Sequence, residues 1–189
     1  VRRPLEQWCF PSSSWIYFKL LCSGIVRISL ICVICVGLCV LETRARENST
    51  LVYAEGAARA ANGDIEGAIP FFEKAVKLSP DYSLAHYGLG RAYLYRESRM
   101  KDAIRELSIS VRCDRRLAKG YFYLGFAYMF SGKYDRAINA FNSAYSVDRT
   151  YFPALYNIAA IYDLMGQVQK ARQFYVRYNN ELHKGEDEF

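Results

Sequence analysis

YFYLGFAYMFSGKYDRAINAFNSA, residues 121–144, decides the fold. Its apolar residues recur at helical spacing twice over. Leu124, Ala127 and Tyr128 form one stripe, and Ala137, Phe141 and Ala144 form another. Gly132 and Lys133 fall between them. A glycine just past a helix end readily takes the left-handed conformation that closes the helix. The stretch therefore reads as two antiparallel helices joined by a short turn. Interiors pack near crystal density, so a small residue facing a neighbouring helix must be matched by a large one. Gly125 is read as the small partner and Phe141 as the large one.

The same pattern returns along the chain with a period of about 34 residues, the mark of stacked supersecondary units. The last copy reads Ile158-Ala159, Tyr162, Gly166, Ala171, Tyr175 and Tyr178, with Ala159 and Tyr175 as the matched pair. Two copies lie upstream. The first keeps Gly56, Gly63, Ala68, Phe72, Ala75 and a closing Pro80, with Arg59 where the tyrosine is expected. The second keeps Leu89-Gly90, Tyr93, Ala103 and Leu107, but its turn, 97–100, has no glycine and one extra residue. Pro70, early in the second helix of the first copy, predicts either a kink or a late helix start.

These residues resemble the tetratricopeptide repeat over roughly three quarters of the chain, by the period that defines it. The resemblance implies an all-α fold. The expected body is a right-handed α-solenoid of four helix pairs, about 49–82, 83–117, 118–151 and 152–184, with a tail at 185–189. It also implies that the first helix of each pair lines a concave wall, where such arrays hold other molecules. Helical spacing away from the core stripe then places Tyr53, Ala57 and Ala60 on that wall from the first copy, and Tyr87, Arg91 and Leu94 from the second. The third supplies Lys119, Phe122, Phe126 and Met129, and the fourth Tyr156, Ala160 and Asp163. Such a groove is aromatic and apolar, with Arg91, Lys119 and Asp163 as sparse polar markers. It suits a protein or peptide partner. The competing reading buries some of these aromatics against adjacent helices. The family's lysine and asparagine clamp for a chaperone carboxylate is not expected, because its places hold Tyr53 and Ala57.

Upstream of the repeats the composition changes. Residues 20–41 are nearly all apolar, broken only by Arg27. As one hydrophobic helix they would reach about 33 Å, enough to cross a bilayer core. Two readings stand: a retained transmembrane anchor over 20–41, or a signal peptide cleaved near Thr43-Arg44-Ala45. Residue 1 is Val, and a true start at Val26 would leave a compact signal peptide. Arg2, Arg3, Lys19 and Arg27 precede the apolar run, and Arg44 and Arg46 follow it. That bias puts 1–19 on the cytoplasmic side and, beyond a linker at 42–48, the repeats on the periplasmic or extracellular side. Cys22, Cys32, Cys35 and Cys39 follow Leu21, Ile31, Ile34 and Leu38, so none has the small residue that lipidation wants before it.

The chain carries 25 basic and 19 acidic side chains, a net of +6. Much of the excess precedes the repeats, too little remaining there for a nucleic-acid face. The second copy is locally basic, and Asp102 and Glu106 beside its arginines predict local pairing on a solvated face. His86 lies on the core stripe and reads as packed. His183 sits in the polar tail, and Cys113 has no metal-like spacing to either histidine. No phosphate loop or nucleophile elbow occurs. The expectation is a scaffold, not an enzyme, with no cofactor and no metal. Its alternatives are, first, a small-molecule-binding accessory of a transport system and, second, an enzyme. The last helix, with Phe174, Tyr175, Tyr178 and Leu182 and only a charged stretch after it, predicts self-association at that end.

Overall fold

The computed structural model describes residues 25–184. The chain divides into two compact units, Val1–Ala45 and Arg46–Phe189. The described part of the first is helical. Residues 20–24 of the apolar stretch fall outside the described residues, as do 1–19 and 185–189, while 25–41 are helical. Among the described residues no helix is long and apolar enough to cross a membrane.

Among the described residues there are only helices and turns, with no strand. Helix α1 spans Ile25–Ala61, and 42–48, expected as a linker, lies within it. From Arg46 onward it pairs with α2, Ile65–Leu78. The later hairpins are α3 (Ser83–Tyr93) with α4 (Met100–Cys113), α5 (Ala118–Phe130) with α6 (Tyr134–Val147), and α7 (Pro153–Leu164) with α8 (Val168–His183).

The turns follow from residue type. Gly63, Gly132 and Gly166 have φ of 87°, 68° and 71°, a region that costs any other L-residue energy. Each sits where the first helix of its pair stops. The second hairpin lacks that glycine and turns through a short 3₁₀ segment, Glu97–Arg99, which takes up the extra residue. Helix α2 does not start late: the Asp64 carboxylate accepts from the Gly67 N–H at 2.8 Å and caps it at Ile65. Pro70 lies inside the helix and is exposed, so its missing N–H is not a buried loss.

Packing rests on glycine against a large side chain. A Cβ at Gly125 would meet the Phe141 ring at 2.7 Å, and one at Gly90 would meet Leu107 at 2.7 Å. At Gly88 the same atom would lie 2.8 Å from Phe72. Phe141 and Leu107 are fully buried and Phe72 nearly so. The fourth hairpin differs. Ala159 is buried as expected, but Tyr175 is only half-buried and its hydroxyl donates to Asp163 at 2.9 Å. A phenol keeps a polar contact that a phenylalanine does not need.

His86 is packed, 4% exposed, and both its ring nitrogens face acceptors. Nδ1 lies 2.8 Å from Glu106 Oε2 and Nε2 lies 3.0 Å from the Pro80 carbonyl oxygen. Burial pushes the Glu106 carboxyl up, but hydrogen bonds from His86 and Arg105 outweigh it and hold it below its usual range. The pair ties α4 to α3 and to the proline that closes the first repeat.

Two outcomes are expected. Gly125→Val should destabilise the array by about 1–3 kcal/mol, because Phe141 has no room to withdraw. Urea unfolding monitored by circular dichroism reads it, and an unchanged midpoint would contradict the packing. The second concerns acid. A carboxyl held low in the folded state contributes stability that is present above its ordinary value of 4.5 and is lost as pH falls through the folded value. Urea midpoints from about pH 6 down to about pH 3, a range that brackets that ordinary value, should fall more steeply for the wild type than for Glu106→Gln.

Candidate functional site

Helices α1, α3 and α5 are the first members of their pairs, and each turns a second stripe away from its partner. Tyr53, Ala57 and Ala60 on α1 and Tyr87, Gly88 and Arg91 on α3 line one cleft of about 160 Å³, with Phe72 at its floor. The cleft exists because Ala57 and Ala60 are small and Gly88 has no side chain. Tyr53 packs on Phe72 at 5.7 Å and edge-on to Tyr82 at 5.5 Å between ring centres.

The cations of this face rest on tyrosine. Arg91 donates to the Tyr87 hydroxyl at 3.4 Å, and its guanidinium lies 5.8 Å from the Tyr123 ring centre. Lys119 Nζ lies 4.9 Å above the Tyr87 ring, and Tyr87 meets Tyr123 edge-on at 5.6 Å. Spacing of four residues on one helix brings Tyr87 to Arg91, while Lys119 reaches Tyr87 from α5. Burial pushes the Tyr53 and Tyr87 phenols up, with Arg91 acting against it at both. Among the described residues neither Arg91 nor Lys119 pairs with a carboxylate. Other arginines of the second hairpin do: Arg96 with Glu66, Arg99 with Asp102, and Arg105 with Asp102 and Glu106. The local pairing expected for this basic stretch is present on α4 and absent on the α3 face.

The remaining predicted residues go elsewhere. Phe122 and Phe126 are half-buried and edge-on to Phe141, at 5.6 and 5.3 Å. Gly125 lets Phe141 reach across α5, and the two phenylalanines flank it, so they are drawn toward the core. Met129 packs on the same cluster, and Leu94 touches the two clusters before it. Tyr156 is 50% exposed and edge-on to Tyr175 and Tyr178. With Asp163 it forms a second cluster between α7 and α8. Sequence reasoning missed Tyr123. Its partners on this face, Tyr87 and Arg91, stand on α3, so no spacing along α5 alone marks it.

Residues 56–95 match a family model described as TPR repeat, and 129–187 match one described as Tetratricopeptide repeat, together about half of the chain. Over 99 residues the chain is 25% identical to "Protein bimA" of Emericella nidulans, 52% of this chain but 12% of that protein. The chain thus matches only a small part of that curated relative. Among solved structures, a crystal structure of MamA aligns with a TM-score of 0.70 at 24% identity, covering 74% of this chain and 81% of that one. The first TPR of Spaghetti (RPAP3), bound to the HSP90 peptide SRMEEVD, aligns at 0.59 with 18% identity, covering 64% and 94%. At these identities the likeness shows the fold alone. Hairpin geometry and family matches agree: the chain carries an array of tetratricopeptide repeats.

Proposed function

We propose that this chain is a protein-interaction scaffold whose α1–α3–α5 face binds an extended or helical segment of an acidic partner. One observation carries the reading: Arg91 and Lys119 stand on tyrosine rings with no carboxylate of the described chain opposite them. Tyrosine offers wide, stiff contact area, and a cation held on its face is oriented before the ligand arrives. The RPAP3 structure shows a peptide bound to a domain of the same fold, and that peptide holds acidic residues. The small-molecule alternative is less well supported, because a cleft of about 160 Å³ is below the roughly 300–1,000 Å³ of pockets that enclose drug-sized ligands.

The apolar stretch 20–41 supports tethering to a membrane, as an anchor or as a signal peptide before cleavage. The charge bias around it supports repeats on the outer side. In this reading the array presents its groove at a membrane surface.

Charge reversal tests the face. Arg91→Glu with Lys119→Glu should lower partner capture in cross-linking pull-downs by about tenfold or more, the scale of one lost interface charge pair. Helical circular dichroism should be unchanged, and Lys101→Glu, exposed on α4, should capture normally. Equal capture by all three chains would remove the reading. For the tether, alkaline carbonate extraction of membranes should leave the full chain in the pellet if 20–41 is retained. A mature protein that begins after residue 45 would instead show that it was a signal.

A further inference from the structure

The arginines of the second hairpin divide by end. At its hairpin turn they are answered: Arg96 meets Glu66, and Arg99 meets Asp102. At the opposite end, where α4 gives way to α5, Arg112, Arg115 and Arg116 are exposed, and among the described residues none of them forms an ion pair. The carboxylate of that turn, Asp114, accepts from the Arg116 backbone N–H at 2.8 Å. Three cations therefore stand there beside one carboxylate. The chain also enters the array at this end. Arg46 Nη2 lies 2.8 Å from Asp81 Oδ2, in the turn before α3. Ser110 Oγ donates to the Ser83 carbonyl oxygen at 2.9 Å, so the last turn of α4 lies beside the first turn of α3. These contacts run along one edge from Arg46 to the arginines that follow Ser110.

We propose that this edge, with Arg112, Arg115 and Arg116 at its centre, docks on an anionic lipid surface. The proposal rests on the membrane-tether reading above and adds the face that the array turns to the bilayer. Connectivity argues for it. The apolar stretch ends at Leu41, five residues before Arg46, and five residues span at most about 18 Å however they are arranged. A tether at 20–41 therefore keeps the Arg46 edge close to the headgroups. The hairpin-turn end of α4 is separated from that edge by the length of the helix, 14 residues or about 21 Å. Charge argues for it as well. An anionic leaflet attracts basic residues within about a Debye length, close to 8 Å at physiological salt. An arginine already paired with a carboxylate gains little there, and the three at this edge are the unpaired ones. A guanidinium carries five donors that suit phosphate oxygens, so the headgroups need no shaped pocket.

Cys113, exposed between Arg112 and Arg115, reports on the edge. Full-length chain in which every cysteine but Cys113 is changed to Ala is placed in lipid nanodiscs and alkylated with a bulky uncharged maleimide. The discs are phosphatidylcholine alone or with about 30% phosphatidylglycerol, enough to give a negative surface. Each cation near such a surface shifts residence there by about fivefold, so Cys113 should react at least about tenfold more slowly on the anionic discs. Raising salt from about 0.1 M to about 1 M should restore the rate. The triple variant Arg112→Gln, Arg115→Gln, Arg116→Gln should react alike on both lipids. The charge-keeping triple Arg112→Lys, Arg115→Lys, Arg116→Lys should stay protected, as should Lys101→Gln with Lys133→Gln, exposed at the hairpin-turn end. Each chain is compared with itself on two lipids, so a change in the thiol's own reactivity cancels. Equal rates for the parent chain, protection kept by the glutamine triple, or protection lost in either of the other two would each overturn the proposal. Tether and edge fail separately. A chain retained by both kinds of disc but unprotected keeps the tether and removes the edge. One that joins only anionic discs and is protected there removes the tether and supports the edge.

Discussion

The array depends on close approach of backbones within and between its hairpins. Gly125 against Phe141 and Gly90 against Leu107 are the same device in successive repeats: one helix gives up a side chain so that the next can fill the space. A Cβ at either position would stand 2.7 Å from an atom of a fully buried residue, so the spacing cannot relax on the buried side. The consequence is geometric. Once the second helix of a pair is held this closely, the first has one face committed and one left over. The leftover faces of α1, α3 and α5 make the cleft and its cations.

The hairpins were legible because their signals are local and repeated. Gly63, Gly132 and Gly166 each mark a turn through a backbone conformation that few residues share, and Phe141 and Leu107 fall on stripes of period 3.6. The second turn was legible as an irregularity, and the 3₁₀ segment is its physical form. Asp64 explains why Pro70 does not delay α2: a cap at the helix start fixes the first turn before the proline is reached.

The groove was less legible, because a helical wheel gives the direction of a side chain but not what stands opposite. Phe122 lies on the stripe that the wheel assigns to the open wall, yet Phe141 draws it inward across Gly125. Tyr123, one residue on, is the ring that meets Tyr87 and faces Arg91. Tyr156 and Asp163 have the right phase but belong to a separate cluster with Tyr175. His86 was read as packed, but Glu106 is twenty residues away in sequence, and no spacing rule on one helix connects them.

The tyrosine content of this face has a consequence for selectivity. An arginine paired with a carboxylate has its charge largely answered, whereas one lying on tyrosine rings keeps most of its field directed outward. The molecule shows both states within one hairpin. Arg99 and Arg105 on or near α4 are answered by Asp102, while Arg91 on α3 is oriented by Tyr87 and Tyr123 and, among the described residues, meets no carboxylate. Two cations so held are too few to retain a polyanion nonspecifically, since that takes many simultaneous phosphate contacts. In the proposed function they set the register of a short acidic segment whose remaining affinity comes from apolar contact in the cleft. In that reading charge chooses among partners and aromatic surface holds them.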